Sequence, residues 1–189
     1  VYNGGGDWYA NPTSLPNLAQ FVNQQLKTKI ATQYDEVKIG TDAMFNYPFI
    51  HLTGHGRITL SSTEKQKLKL YLESGGFLHV DDNYGMDQYV RPLLNELFPN
   101  QKLQPVPFSH TIYNKPFVFK NGLPKIHEHD NKPPQGLGLF IKDRLVVYYS
   151  YETDLGDGWE DPDVHNDPAD VREKALKMGA NIVKYAFEN

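Results

Sequence analysis

Cysteine is the first absence, since the 189-residue chain contains none. That excludes disulfides, thiolate metal ligands and any mechanism through a cysteine nucleophile, while fixing nothing about the redox compartment. No stretch approaches the roughly 18 consecutive apolar residues of a membrane span, so no spanning segment is expected in this chain. Basic charge is scarce as well. Nineteen lysines and arginines against 23 aspartates and glutamates leave a net charge of −4, and no basic run supplies a phosphate-binding patch. Nucleic acid is therefore not an expected partner. Two catalytic signatures are missing, the G-x-S-x-G nucleophile elbow and the H-E-x-x-H metal spacing. No leader is visible at VYNGGGDW, an opening that suits a mature form or a segment from which a leader was removed.

What is present suits one domain over residues 1–189. A chain of this length with 39% hydrophobic and 13% aromatic residues can bury a substantial core. TSLPNLAQFVNQQLKTK predicts a helix, with Thr13 or Ser14 as cap, Pro16 in the first turn and an apolar stripe of Leu15, Leu18, Val22 and Leu26. EVKIG (36–40) and YPFIHLTG (47–54) read as strands, the second apolar enough to be central. Ser61 and Glu64 have capping-box spacing and open a helix through Leu68, Tyr71 and Leu72. Gly75 and Gly76 end that helix and lead into the strand FLHVDD. A further helix runs from about Asp87 to Phe98, with Pro92 in its first turn or kinking it. Residues 99–136 read as loops with one short strand. LGLFIKDRLVVYYS predicts a hairpin turning at Lys142-Asp143. A final helix follows, with Val171, Ala175, Met178, Ile182 and Ala186 on one face. Strands alternating with helices imply a mostly parallel sheet covered on both sides, with an antiparallel hairpin at one edge.

In such a sheet, ligands bind outside the carboxyl ends of the strands. Polar residues gather at four of these places: Gly5, Asp7 and Trp8; Thr53, Gly54, His55 and Gly56; Asp81 and Asp82; and Asp154 with Asp157. The glycines of TGHG let backbone amides approach an anion or an oxyanion. His51 and His79 lie inside strands and read as hydrogen-bonded core residues. Asp81 and Asp82 fall on opposite faces if the strand continues through them, leaving one to cap the next helix and the other to bind a ligand. A metal, if one binds, would draw on His55, Asp81, Asp82 and His110. The His127-Glu128-His129-Asp130 run lies between prolines and reads as a solvated loop. In DLGDGWE, Trp159 reads as a cover for the core, with the acids open to a role.

Taken in order, GGGDWYANPTSLPNL, YPFIHLTGHG, YLESGGFLHVDDNYG, the His110 segment, DLGDGWE and the helix ending NIVKYAF resemble the bacterial domain-of-unknown-function family 4159. That family is grouped with the class I glutamine-amidotransferase-like superfamily. The resemblance implies a flavodoxin-like three-layer α/β/α sandwich. It also implies that GGFLHVDD corresponds to the strand ending at the cysteine nucleophile of true amidotransferases, with Asp81 or Asp82 near that position. Thioester chemistry on glutamine is then excluded for want of a thiol. The resemblance further implies an exported or periplasmic setting at the cell envelope, and points to no particular cofactor. Three functions are expected in competition. One is a non-catalytic domain binding a small molecule or protein partner in the strand-end crevice. Another is a carboxylate–histidine hydrolase using Asp81 or Asp82 with His55 and His110, with or without a metal. The third is a structural component of an envelope complex, using aromatic loops around Tyr9 and Trp159.

Overall fold

A computed structural model describes residues 11–189 of the chain. Helix α1 (Ser14–Leu26) buries Leu18 and Val22, with Leu15 and Leu26 packed beside them. Neither Thr13 nor Ser14 caps it by its side chain. The Thr13 hydroxyl instead accepts from the Asp161 amide at 3.1 Å, and the Thr13 amide donates to Glu160 at 2.8 Å. The start of α1 is thus tied to a segment nearly 150 residues later.

The predicted strand at 36–40 does not form. Val37 and Ile39 do turn inward against an apolar cluster, but they pair with no strand among the described residues, and the chain goes on into a 3₁₀ turn at Asp42–Asn46. Alternation produced burial without a ladder. Strand β1 (Phe49–His55) follows, then α2 (Ser62–Glu73), β2 (Phe77–Tyr84) and α3 (Asp87–Leu97). The capping box of α2 is complete: the Ser61 amide donates to Glu64 at 2.7 Å and the Glu64 amide to the Ser61 hydroxyl at 3.3 Å. At the α2–β2 junction a Cβ on Gly76 would overlap the Tyr71 ring, so only glycine fits. Pro92 lies inside α3 rather than in its first turn, and the Gln88 carbonyl receives no N–H from it.

After a two-residue strand β3 (Gln104–Pro105) comes the hairpin of β4 (Gln135–Ile141) and β5 (Arg144–Tyr151). Its turn residues Lys142 and Asp143 both have positive φ, 48° and 66°, as a type I′ turn requires, here without glycine. The strand order is β1-β2-β5-β4-β3. β1, β2 and β5 run parallel, while β4 is antiparallel to both β5 and β3. β1 is therefore at the edge among the described strands, not central as its apolar run predicts. β5 occupies the middle.

Helices cover both faces of this mixed sheet. Phe77 and Tyr148 face α1, Trp159 and the long α6 (Ala169–Glu188), whose Ala175, Met178, Ile182 and Ala186 are buried as the sequence pattern predicts. Leu78, Val80, Val147 and Tyr149 face α2 and α3. Two short helices, α4 (Leu155–Trp159) and α5 (Pro162–His165), fill the acidic segment between β5 and α6.

Candidate functional site

Because β1, β2 and β5 are parallel, their carboxyl ends share one side of the sheet. Register places Thr53 beside Asp81, Gly54 beside Asp82, and Asp81 beside Ser150. His110 is not among them. Its ring packs on Tyr185 and Phe140, at centroid distances of 5.1 and 5.9 Å. The Tyr185 hydroxyl accepts from the amide of Leu145, near the start of β5. Leu145 and Ser150 are separated by about 16 Å along the strand.

The pleat sends Asp81 and Asp82 to opposite faces, as alternation predicts. Asp82 accepts from the Met86 amide and the Tyr149 hydroxyl, both at 2.9 Å, and so pins the turn into α3. Burial raises its pKa. Asp81 is fully buried, accepting from the Ser150 hydroxyl and, at 2.7 Å, from the Gly156 amide. Burial first, and the nearby Asp154 charge second, raise the Asp81 carboxyl to about 8. The shift favours the neutral, protonated carboxyl at pH 7.

Behind Asp81 runs a closed polar chain. Ser150 Oγ meets His79 Nε2 at 2.9 Å, and His79 Nδ1 meets His51 Nδ1 at 3.0 Å. The Trp159 ring covers both imidazoles, 5.5 Å from His51 and 5.8 Å from His79. Burial lowers His51 to about 4 and His79 well below its ordinary value, so both are neutral. The facing Nδ1 atoms need one proton between them. His51 Nε2 is buried without a partner, and a bare lone pair there costs less than an orphaned N–H. That assigns the shared proton to His51 Nδ1 and makes His79 Nε2 the donor to Ser150.

On the solvent side of Asp81 the same residue types behave differently. Past β5 the backbone enters the left-handed region at Glu152 (φ 59°) and again at Asp154 (φ 62°), a conformation costing about 1–2 kcal/mol per residue. These bends accompany a cluster of acids and imidazoles. Asp157 Oδ1 accepts from Asn11 at 2.7 Å, and its Oδ2 lies 2.9 Å from His127 Nδ1 and 3.5 Å from His165 Nε2. Asp154 lies 3.5 Å from His127 and 3.1 Å from His129. His127 Nε2 reaches Asp167 at 3.0 Å. Asn83 turns its amide nitrogen toward Asp154 and Asp157, at 2.6 and 3.2 Å, since its oxygen there would oppose two carboxylates. Glu152 pairs with Lys125 at 3.0 Å. Asp154 and Asp157 together raise His127 to about 11, and Asp154 raises His129. Burial pushes Asp157 up, but His127, His165 and Asn11 outweigh it and hold the carboxyl below its ordinary value.

Of the residues singled out by sequence, Asp81, Asp154 and Asp157 converge, and Thr53–Gly56 flanks them across the β1–β2 ladder. Asp82 is behind the sheet and His110 is at its other end. Gly5, Asp7 and Trp8 lie outside the described residues, as does Tyr9. The metal donors expected from sequence, His55, Asp81, Asp82 and His110, do not gather. Among the described residues, His127, Asp157 and His165 do, with one donor atom each, all within 4.8 Å of one another. The HEHD run is only half a solvated loop: Glu128 and Asp130 are exposed as expected, but His127 and His129 turn inward, and the amides of Ile126 and His127 both donate to Thr153 O, at 3.0 and 3.3 Å, holding the run against the end of β5. The available signal was histidine close to an acid, in His127-Glu128-His129-Asp130 and in His165-Asn166-Asp167. Trp159 covers the core as expected and is fully buried, so it offers no exposed aromatic surface to a partner.

The sequence profile of the family described as "Domain of unknown function (DUF4159)" matches residues 1–187, and the chain belongs to that family. No curated protein matches the chain. No helix among the described residues is long and apolar enough to cross a membrane.

Proposed function

We propose that this chain is a non-catalytic binding domain on an amidotransferase-like, flavodoxin-like frame, and that its ligand enters at the histidine–aspartate rim of the strand-end crevice. The observation that carries this reading is the fate of Asp81. At the strand end likened to a nucleophile position, the carboxyl is buried, neutral and committed to Ser150 and Gly156. A group so enclosed cannot attack a substrate. The rim beside it is partly open, with the His127 and His165 side chains 26% and 30% exposed, and presents acceptors and imidazoles suited to a polar, hydroxyl- or amine-bearing ligand. The hydrolase built from His55, His110 and an aspartate loses its second histidine to the far end of β5. An envelope location belongs to the same proposal on the strength of the resemblance, and fractionation of expressing cells tests it.

A thermal-shift screen with polyols, amines, nucleotides and divalent ions tests the binding role. A ligand at 100 times its Kd stabilises the fold by about 2.7 kcal/mol. The expected result is a shift that Asp157→Asn and His127→Gln each abolish. A ligand whose shift both variants preserve would move the site elsewhere, and measurable hydrolysis of a substrate would end the non-catalytic reading.

A further inference from the structure

Two imidazole nitrogens aim at one carboxylate oxygen. His127 Nδ1 lies 2.9 Å and His165 Nε2 3.5 Å from Asp157 Oδ2, and the two rings are 5.1 Å apart at 61°. One imidazolium satisfies a carboxylate. A second at that distance would repel the first, so ion pairing alone does not account for the convergence. Donor atoms around a tetrahedral ion at about 2.0–2.1 Å stand roughly 3.3 Å from one another, close to both separations.

A second observation comes from a fourth side chain, Asp167. The other nitrogen of His127, Nε2, meets Asp167 Oδ1 at 3.0 Å. The Asp167 side chain is only 10% exposed, and its Oδ2 is buried without a partner. A carboxylate on the far nitrogen of a ligating histidine is the outer-shell arrangement that fixes the ring and turns Nδ1 toward the ion. The backbone supports the same geometry. His127 is pinned to Thr153 O, Asp157 lies in α4, and His165 and Asp167 flank Asn166, whose left-handed φ of 57° ends α5.

We propose that His127, Asp157 and His165 bind a divalent first-row metal ion of the zinc type, with Asp167 as the outer-shell partner of His127. Two imidazoles and one carboxylate favour such an ion over magnesium or calcium, which prefer all-oxygen sets. Three protein ligands leave a fourth position for water or a bound molecule. This inference rests on the rim being the binding site and names what binds there first.

The test uses the whole chain, stripped with a chelator and titrated with zinc chloride by calorimetry, with cobalt(II) absorption as a second readout. The expected result is saturable 1:1 binding, with visible d–d bands on cobalt substitution. His165→Ala removes a half-exposed ligand from a short helix and should leave the fold intact by circular dichroism. It should weaken zinc at least about tenfold, since loss of an outer-shell partner alone costs about 10–100-fold. Asp167→Asn should fall within that 10–100-fold range. No saturable binding, or binding undiminished in both variants, overturns the proposal. Organic-ligand shifts that persist in chelated protein and still depend on Asp157 would show that the crevice binds without a metal. Loss of both kinds of binding would remove the two readings together.

Discussion

Two groups of histidines and carboxylates stand on either side of Asp81, built from the same chemistry and put to opposite uses. His51, His79, Ser150 and Asp81 form a closed chain under Trp159, where burial has neutralised both imidazoles and the carboxyl. His127, His129, Asp154 and Asp157 form a cluster a few residues away, where opposite charges favour the protonated imidazoles. The difference is access to water and to counter-charge. Desolvation without a charged partner drives a histidine neutral; desolvation beside a carboxylate drives it cationic. Residue type names the chemistry available, and the environment selects which part of it is used.

The comparison breaks most violently at Trp159. Trp159→Ala should cost about 3–5 kcal/mol in urea unfolding and admit water to the inner chain. His51 and His79 should then titrate nearer the ordinary histidine value by NMR; unchanged titration would mean that Trp159 is not what keeps them dry. Ser150→Ala opens the inner chain without opening the core. It leaves His79 Nε2 and Asp81 Oδ1 short of a partner, at an expected cost of about 2–3 kcal/mol. A loss below about 0.5 kcal/mol would show that the chain contributes no net stability.

Acidity gives a finer cut. A carboxyl raised to about 8 keeps its proton in the fold after the unfolded chain has released it near pH 4. The folded state therefore binds more protons between those values, and stability falls as pH rises through that window. His51 and His79 act in the other sense, since their depressed basicity costs stability only below about pH 6.5. Between pH 6.5 and 8 the Asp81 contribution is separable from theirs, at about 2 kcal/mol. Asp81→Asn should flatten that part of the stability curve by this amount; identical slopes in the two proteins would mean that Asp81 is ionised in the fold. His127 and His129, raised by their carboxylates, also lose stability with rising pH, and they are common to both proteins. The smallest effect belongs to the rim. In chelated protein His165→Ala should change unfolding by less than about 1 kcal/mol, because the partly exposed His165 ring makes only a 3.5 Å contact with Asp157 that water screens.

Much of the frame was legible because it rests on local periodicity. The capping box at Ser61, the stripe of α6 and the Lys142-Asp143 turn each specify their element within a few residues. What failed depended on neighbours. Residues 36–40 alternate as a strand does, yet among the described residues no strand pairs with them, and β1 is apolar although it is the edge of the described strands. The site was legible by halves. Asp154 and Asp157 follow a strand end and were found by the strand-end rule. His127 and His129 reach the same place from a loop, and His165 and Asp167 from the end of α5, and no short-range pattern shows that Ile126 and His127 share Thr153 O. Proline neighbours made all of HEHD read as solvent-exposed, which holds for Glu128 and Asp130, whereas backbone pairing draws His127 and His129 in.

The middle place of β5 has a consequence for how the chain is made. β2 gains its second neighbour only when Ser150 arrives beside Val80, 70 residues downstream. A ribosome delivering about 5–20 residues per second exposes the inner edge of β2 for several seconds before that partner exists. During that interval the apolar run Phe77–Val80 has an unpaired edge open to other nascent chains. The sheet closes from its centre late, with long-range pairing of the kind that slows folding.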